Sequence, residues 1–259
     1  MIENIKNYSR VKGLSERDAL QVFMQVLILK NLHLDGAKII GGTALVMGYG
    51  NPRFSEDIDL TGVSNPLDLK KHLEKGAKEI AGLLNGESSL KAPKENRVTW
   101  VVTCQISPSL SARLHVDSQP YKPLTHFPLM VEYPGLAPFV FPSIALEEIM
   151  ADKLVALAFR NNLSGRDIFD LWHHWLKTTD ADLKKTAIQN HVKKKLRLRG
   201  LKTEDFIRNL HTKMKNGISG RLKEEWRRYL PTGLDDSILH ERIFKTVKEF
   251  IQRMRHDEY

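Results

Sequence analysis

Gly41-Gly42-Thr43-Ala44-Leu45, followed across a polar turn by Asp57-Ile58-Asp59-Leu60-Thr61, is the stretch on which the fold turns. Immediately before it, Ala37-Lys38-Ile39-Ile40 predicts a short strand that runs into the two glycines. Residues 43–49 predict a short helix, and Gly50-Asn51-Pro52-Arg53 a turn. Residues 57–62 predict a second strand, with Ile58 and Leu60 on one face and Asp57, Asp59 and Thr61 on the other. Two acids at i and i+2 on a strand stand roughly 6.5 Å apart on the same side. Their oxygens can converge on hard divalent cations. Two such ions, about 4 Å apart, can clamp the attacking and leaving oxygens of a phosphoryl displacement. Read alone, an Asp-x-Asp pair also fits a solvated surface.

Working outward, residues 110–118 alternate strictly. Leu110, Ala112, Leu114 and Val116 face inward, and Ser111, Arg113, His115 and Asp117 face outward, a half-buried strand that supplies a third acid. His115 shares that face, as a neighbour of the acids or as a plain polar strand residue. The glycines add a phosphate-binding element: a glycine turn lets the backbone approach a phosphate, and a helix N-terminus favours negative charge. Thr43 offers a hydroxyl donor, although a Gly-Gly pair is also an ordinary strand-to-helix turn.

The remaining patterns give the architecture. Ser15-Glu16-Arg17-Asp18 predicts a helix N-terminus, with Ala19, Leu20, Phe23, Val26, Leu27 and Leu29 as its apolar stripe. Asn65-Pro66 opens a helix that lasts to about Leu84. Residues 97–106, including Arg97 and Val98, are β-rich, and a short strand is expected at 129–133 within the proline-rich stretch 120–142. From Ser143 onward, read as a helix cap, the chain reads helical. The expected class is α+β. A mixed β-sheet core flanked by helices spans residues 1–141, and a helical domain with a basic surface spans residues 142–259.

Composition narrows the function. The chain of 259 residues has a net charge of +9, but residues 184–228 alone carry 15 Lys or Arg against 4 Asp or Glu. Within that segment Lys193, Lys194, Lys195, Arg197 and Arg199 cluster. Such a segment suits a polyanion such as RNA, and equally a solvated helical surface. One cysteine, Cys104, sits in an apolar run and excludes an intrachain disulfide. No membrane-spanning run or secretory signal is evident, so a cytoplasmic protein is expected. The four tryptophans, Trp100, Trp172, Trp175 and Trp226, read as core or interface anchors.

In the helical part, Lys153 and Arg160 lie two turns apart on one side of a helix, close in sequence to Arg166, Asp167 and Asp170. Buried cations need partners. Here a triphosphate or the neighbouring acids would serve.

Gly41-Gly42-Thr43-Ala44-Leu45, Tyr49-Gly50, Arg53, Ser55 and Asp57-Ile58-Asp59-Leu60 together resemble the signature of the AbiEii/MenT-type nucleotidyltransferase toxins, within the polymerase-beta-like nucleotidyltransferase superfamily. The likeness resumes at Glu147-Glu148, Lys153, Arg160 and Arg166-Asp167-Ile168-Phe169-Asp170-Leu171, covering about residues 36–172. The segment beyond about residue 175 matches nothing in it. The resemblance implies two Mg²⁺ ions (Mn²⁺ as the alternative) held by Asp57, Asp59 and Asp117. It implies an NTP held by Gly41, Gly42, Thr43, Arg53, Ser55, Lys153, Arg166 and Asp170, with Lys153 also aiding transfer. It further implies a cognate antitoxin and an acceptor such as tRNA.

Two rivals stand beside this reading. Asp57-Ile58-Asp59-Leu60-Thr61 superficially fits the nucleophile motif of haloacid-dehalogenase-like phosphatases, but the polar Asn51–Glu56 stretch replaces the hydrophobic strand which that motif requires. A catalytically silent RNA- or antitoxin-binding module would keep the fold, and intact Asp57, Asp59 and Asp117 argue against it.

Overall fold

The computed structural model describes residues 1–93, 99–119, 121–161, 164–176, 181–215 and 236–256. Arg97, Val98 and Trp226, the Trp175 side chain, and the 216–228 part of the basic segment lie outside the described residues. The chain divides into two compact units, Met1–Ile144 and Ala145–Tyr259.

The first unit is built on a seven-stranded mixed sheet: β1 (Lys38–Ile40), β2 (Asp57–Thr61), β3 (Glu87–Lys91), β4 (Thr99–Ser107), β5 (Leu110–Gln119), β6 (Phe127–Val131) and β7 (Phe139–Ser143). Their order across the sheet is β3-β4-β5-β2-β1-β7-β6. The pairs β2/β5 and β1/β7 are parallel, and the others are antiparallel. Helices α1 (Ile2–Lys12), α2 (Glu16–Asn31), α3 (Gly41–Gly48) and α4 (Pro66–Leu84) complete the unit.

Local chemistry starts these helices where expected. Ser15 caps α2 by accepting a hydrogen bond from the Asp18 amide, and Asn65 caps α4 with Pro66 in its first turn. Helix α2 is buried almost from end to end and packs with α4 and against β5. The alternating set Ile58, Leu60, Val102, Cys104, Ala112, Leu114 and Val116 is buried within the same core. Burial also pushes the Cys104 thiol pKa up, which makes it a poor nucleophile. Ser143 is not a helix cap. It ends β7, fully buried, and its hydroxyl donates to the Ile39 carbonyl at 3.0 Å. Residues 142–144 thus complete the sheet unit.

The second unit contains α5 (Leu146–Phe159), α6 (Gly165–Leu171), a π-helical turn (Trp172–Leu176), α7 (Ala181–Leu198), α8 (Thr203–Lys215) and α9 (Asp236–His256). Leu154, Phe169, Val192, Leu196, Phe206, Phe250 and Met254 are among its buried residues. No helix among the described residues is long and apolar enough to cross a membrane.

Candidate active site

The parallel pairing of β2 with β5 sets Asp59 directly beside Asp117, and Asp57 beside His115. Since register partners share a face, the three carboxylates emerge on one side of the sheet, opposite the buried Ile58, Leu60 and Val116. The His115 Nδ1 lies 3.4 Å from Asp57 Oδ1, with both side chains partly exposed.

The turn before α3 is shaped around these acids. Gly41 adopts φ of +69°, a left-handed conformation, and an added Cβ would stand 2.5 Å from Asp59 Oδ2. Two independent constraints therefore demand glycine here. Ile40, at the N-cap of α3, provides no side-chain cap. Gly42 leaves room for the Arg53 guanidinium, which a Cβ would strike, and for the Ser55 hydroxyl.

Several predicted contact residues point inward. The Thr43 hydroxyl is buried and donates to the Asp57 carbonyl. With that proton used, Ser55 donates to Thr43 across 2.9 Å. Buried Arg53 donates from Nη1 to the Phe54 carbonyl at 2.9 Å. These side chains fasten the turn to the start of β2. From α2, Gln25 donates to the carbonyls of Ser55 (2.8 Å) and Asp57 (3.3 Å), and Gln21 donates to that of Glu56 (2.5 Å). Both glutamines escape sequence reading, because inside an apolar stripe nothing distinguishes them from surface positions.

The acids fit a divalent cation in donor type and share one face of the sheet. Asp117 Oδ1 is buried with no hydrogen-bond partner, as befits an oxygen arranged for a cation. The fit is not a preformed cage: among the described residues no group of three His, Cys, Asp or Glu side chains is closed enough to hold a metal. Thr61 does not serve a phosphatase motif, since it is fully buried and donates to the Tyr121 carbonyl.

The helical unit holds the other predicted residues. Lys153 Nζ lies 2.6 Å from Asp167 Oδ1 and 2.9 Å from Asp170 Oδ2, and its side chain is only 12% exposed. Arg160 pairs with the second Asp167 oxygen at 2.7 Å. Arg166 is half-buried and has no ion pair among the described residues. The basic cluster divides. Lys195 is not on the surface: its side chain is 2% exposed, 2.8 Å from Glu148 and 2.6 Å from Asp152, and Arg199 joins Asp152 at 2.7 Å. Lys194 and Arg197 are exposed, and Lys193 is partly so. An i, i+4 pattern could not reveal this, because the acids that draw Lys195 inward lie on α5.

The mixed sheet with paired acids beside a glycine turn defines a nucleotidyltransferase-like fold. Solved structures agree. MenT4, a nucleotidyltransferase toxin from Mycobacterium tuberculosis, is 17% identical with a TM-score of 0.58, over 96% of this chain and 98% of its own. JHP933 from Helicobacter pylori is 18% identical with a TM-score of 0.56, over 95% of this chain and 96% of its own. No curated protein sequence matches. The profile of the nucleotidyl transferase AbiEii toxin family, a type IV toxin–antitoxin system, matches residues 37–253, and the chain belongs to that family. It is a nucleotidyltransferase, and its family implies an antitoxin partner. The match runs well past residue 175, so the helical segment belongs to the family as well.

Proposed function

We propose that this toxin transfers a nucleoside monophosphate from an NTP to an RNA hydroxyl, on tRNA, in a reaction that requires Mg²⁺ or Mn²⁺. The observation that carries the reading is the register of β2 and β5. It sets Asp59 against Asp117, with Asp57 on the same face and a partnerless buried oxygen on Asp117. Asp57, Asp59 and Asp117 would hold the divalent ions, which supply charge neutralisation at the attacking and leaving oxygens.

The chain's own residues do the rest. The acceptor hydroxyl attacks the α-phosphorus, the bond to the β-phosphate breaks, and pyrophosphate leaves. The hydroxyl proton passes to the Asp117 carboxylate. Backbone amides at Gly42 and Thr43, at the start of α3, receive the β and γ phosphates. Arg53, Ser55 and the Thr43 hydroxyl hold that turn in place from beneath. In the helical unit, Lys153 pairs with Asp167 and Asp170 and braces α5 against α6.

The test is incubation with each α-labelled NTP, Mg²⁺ and bulk tRNA, with a chelator control. Label in the RNA that disappears with Asp59→Asn or Asp117→Asn supports the reading. Label confined to protein, or unchanged labelling by these variants, overturns it.

A further inference from the structure

In-line displacement requires the nucleophile to approach opposite the leaving pyrophosphate. The glycine turn and α3 follow β1, which pairs with β2 on one side; β5, β4 and β3 succeed one another on its other side. If the triphosphate sits at α3, the acceptor reaches the acids across β5, β4 and β3. We propose that the polar face of these three strands is the track for the acceptor's sugar–phosphate backbone, with Arg113 and Lys91 binding its phosphates. The proposal rests on the reading of RNA as acceptor.

Register defines the track. Lys91 pairs with Val101 and Val101 with His115, which stands beside Asp57, so one row crosses the sheet from Lys91 to the acids. Arg113 pairs with Thr103, and Thr103 with Ser89, in the next row on the same face. Arg113 stands four positions before Asp117, roughly 13 Å along the strand. That places its guanidinium beside the nucleotides that immediately precede a hydroxyl held at Asp117. Arg113, His115 and Lys91 are exposed.

Charge complementarity supports an anionic occupant. Arg113 and Lys91 are exposed cations on this face, and a phosphodiester backbone complements them. Trp100 is turned into the core, and the track carries no Phe, Tyr or Trp among the described residues. Such a face binds a backbone more readily than it reads bases. Glu87, beside Gln105 at the far edge, marks where the cationic lane ends.

The experiment measures labelling of bulk tRNA by wild type, Arg113→Gln, Lys91→Gln and the double variant, at several salt concentrations. These exposed substitutions leave the core untouched, which a melting curve verifies. The double variant is expected to raise the KM for tRNA about tenfold, as for removal of exposed charge-assisted hydrogen bonds. The log–log salt slope should flatten by about 0.7 for each phosphate left without its cation, with the KM for NTP unchanged. Wild-type tRNA kinetics and slope in the double variant overturn the track alone. Wild type that labels protein and no RNA overturns the acceptor reading, and the track with it.

Discussion

Gly41 shows how closely one residue ties backbone to chemistry. Its left-handed φ costs an L-residue about 1 kcal/mol, and its missing Cβ makes room for Asp59. Gly41→Ala should therefore lower the melting temperature modestly and cut transfer at least about tenfold, because the carboxylate must move to admit the methyl group. Transfer within a factor of about two of wild type would show that Asp59 needs no such room. Asp117 makes a complementary case. Its buried Oδ1 has no hydrogen-bond partner, and Asp59 is its register neighbour on β2. Added Mg²⁺ should raise the stability of wild type, by about 1.4 kcal/mol at tenfold above its dissociation constant. Asp117→Asn should lose transfer and much of that gain while remaining folded. An equal Mg²⁺ response in both proteins would remove Asp117 from the ligand set.

At the scale of elements, the link between α5 and α6 is ionic. Lys153 is enclosed by Asp167 and Asp170, so Lys153→Met should destabilise the helical unit by roughly 3–5 kcal/mol, the cost of stranding buried charge. Adding Asp170→Asn should recover part of the loss. A Lys153→Met protein that melts like wild type but fails to use NTP would instead make Lys153 a nucleotide contact. On α7, burial lowers the His191 pKa, against the opposing pull of Glu148. A histidine whose folded pKa lies below its unfolded value binds fewer protons when folded. Stability is then full above the unfolded pKa of about 6.5 and falls as the pH drops below it. Urea melts between pH 7 and 5 should show that fall, and His191→Gln should reduce it. Elements were legible where burial was one-sided, as in β5 with its strict alternation. Strand β3, Glu-Ser-Ser-Leu-Lys, hides because it is an edge strand that buries little. Strand β7 hides behind Pro142, which is tolerated because its pairing with β1 is confined to Ser143 and Ile39. Helix α1 buries only Ile5 and Ser9, too few for a periodic signal. The three acids were legible because a strand's period of two marks its faces, whereas Gln21, Gln25 and the acids around Lys195 depend on contacts remote in sequence.

For the whole molecule, charge is distributed unevenly: residues 184–228 hold 15 basic against 4 acidic residues, leaving the rest of the chain at −2. Not all of that charge faces a partner. Lys195 and Arg199 are tied to Glu148 and Asp152 on α5, while Lys194 and Arg197 are exposed. The same short segment thus holds residues of two kinds, and substitutions should separate them. Lys194→Gln with Arg197→Gln should leave the melting temperature nearly unchanged. If the basic surface attracts RNA, the pair weakens tRNA affinity and flattens its salt slope by about 0.7 for each phosphate no longer neutralised. Lys195→Gln should do the reverse, stranding Glu148 at a cost of roughly 3–5 kcal/mol while the salt slope of the folded fraction stays as in wild type. Anisotropy of labelled tRNA over a range of salt concentrations, paired with melting curves, reads both quantities on the same samples. A flattened slope from Lys195→Gln without loss of stability would mean that Lys195 leaves its acids to meet the nucleic acid. An unchanged slope from the exposed pair would assign the positive surface to solvent and leave the sheet track as the site where RNA is held.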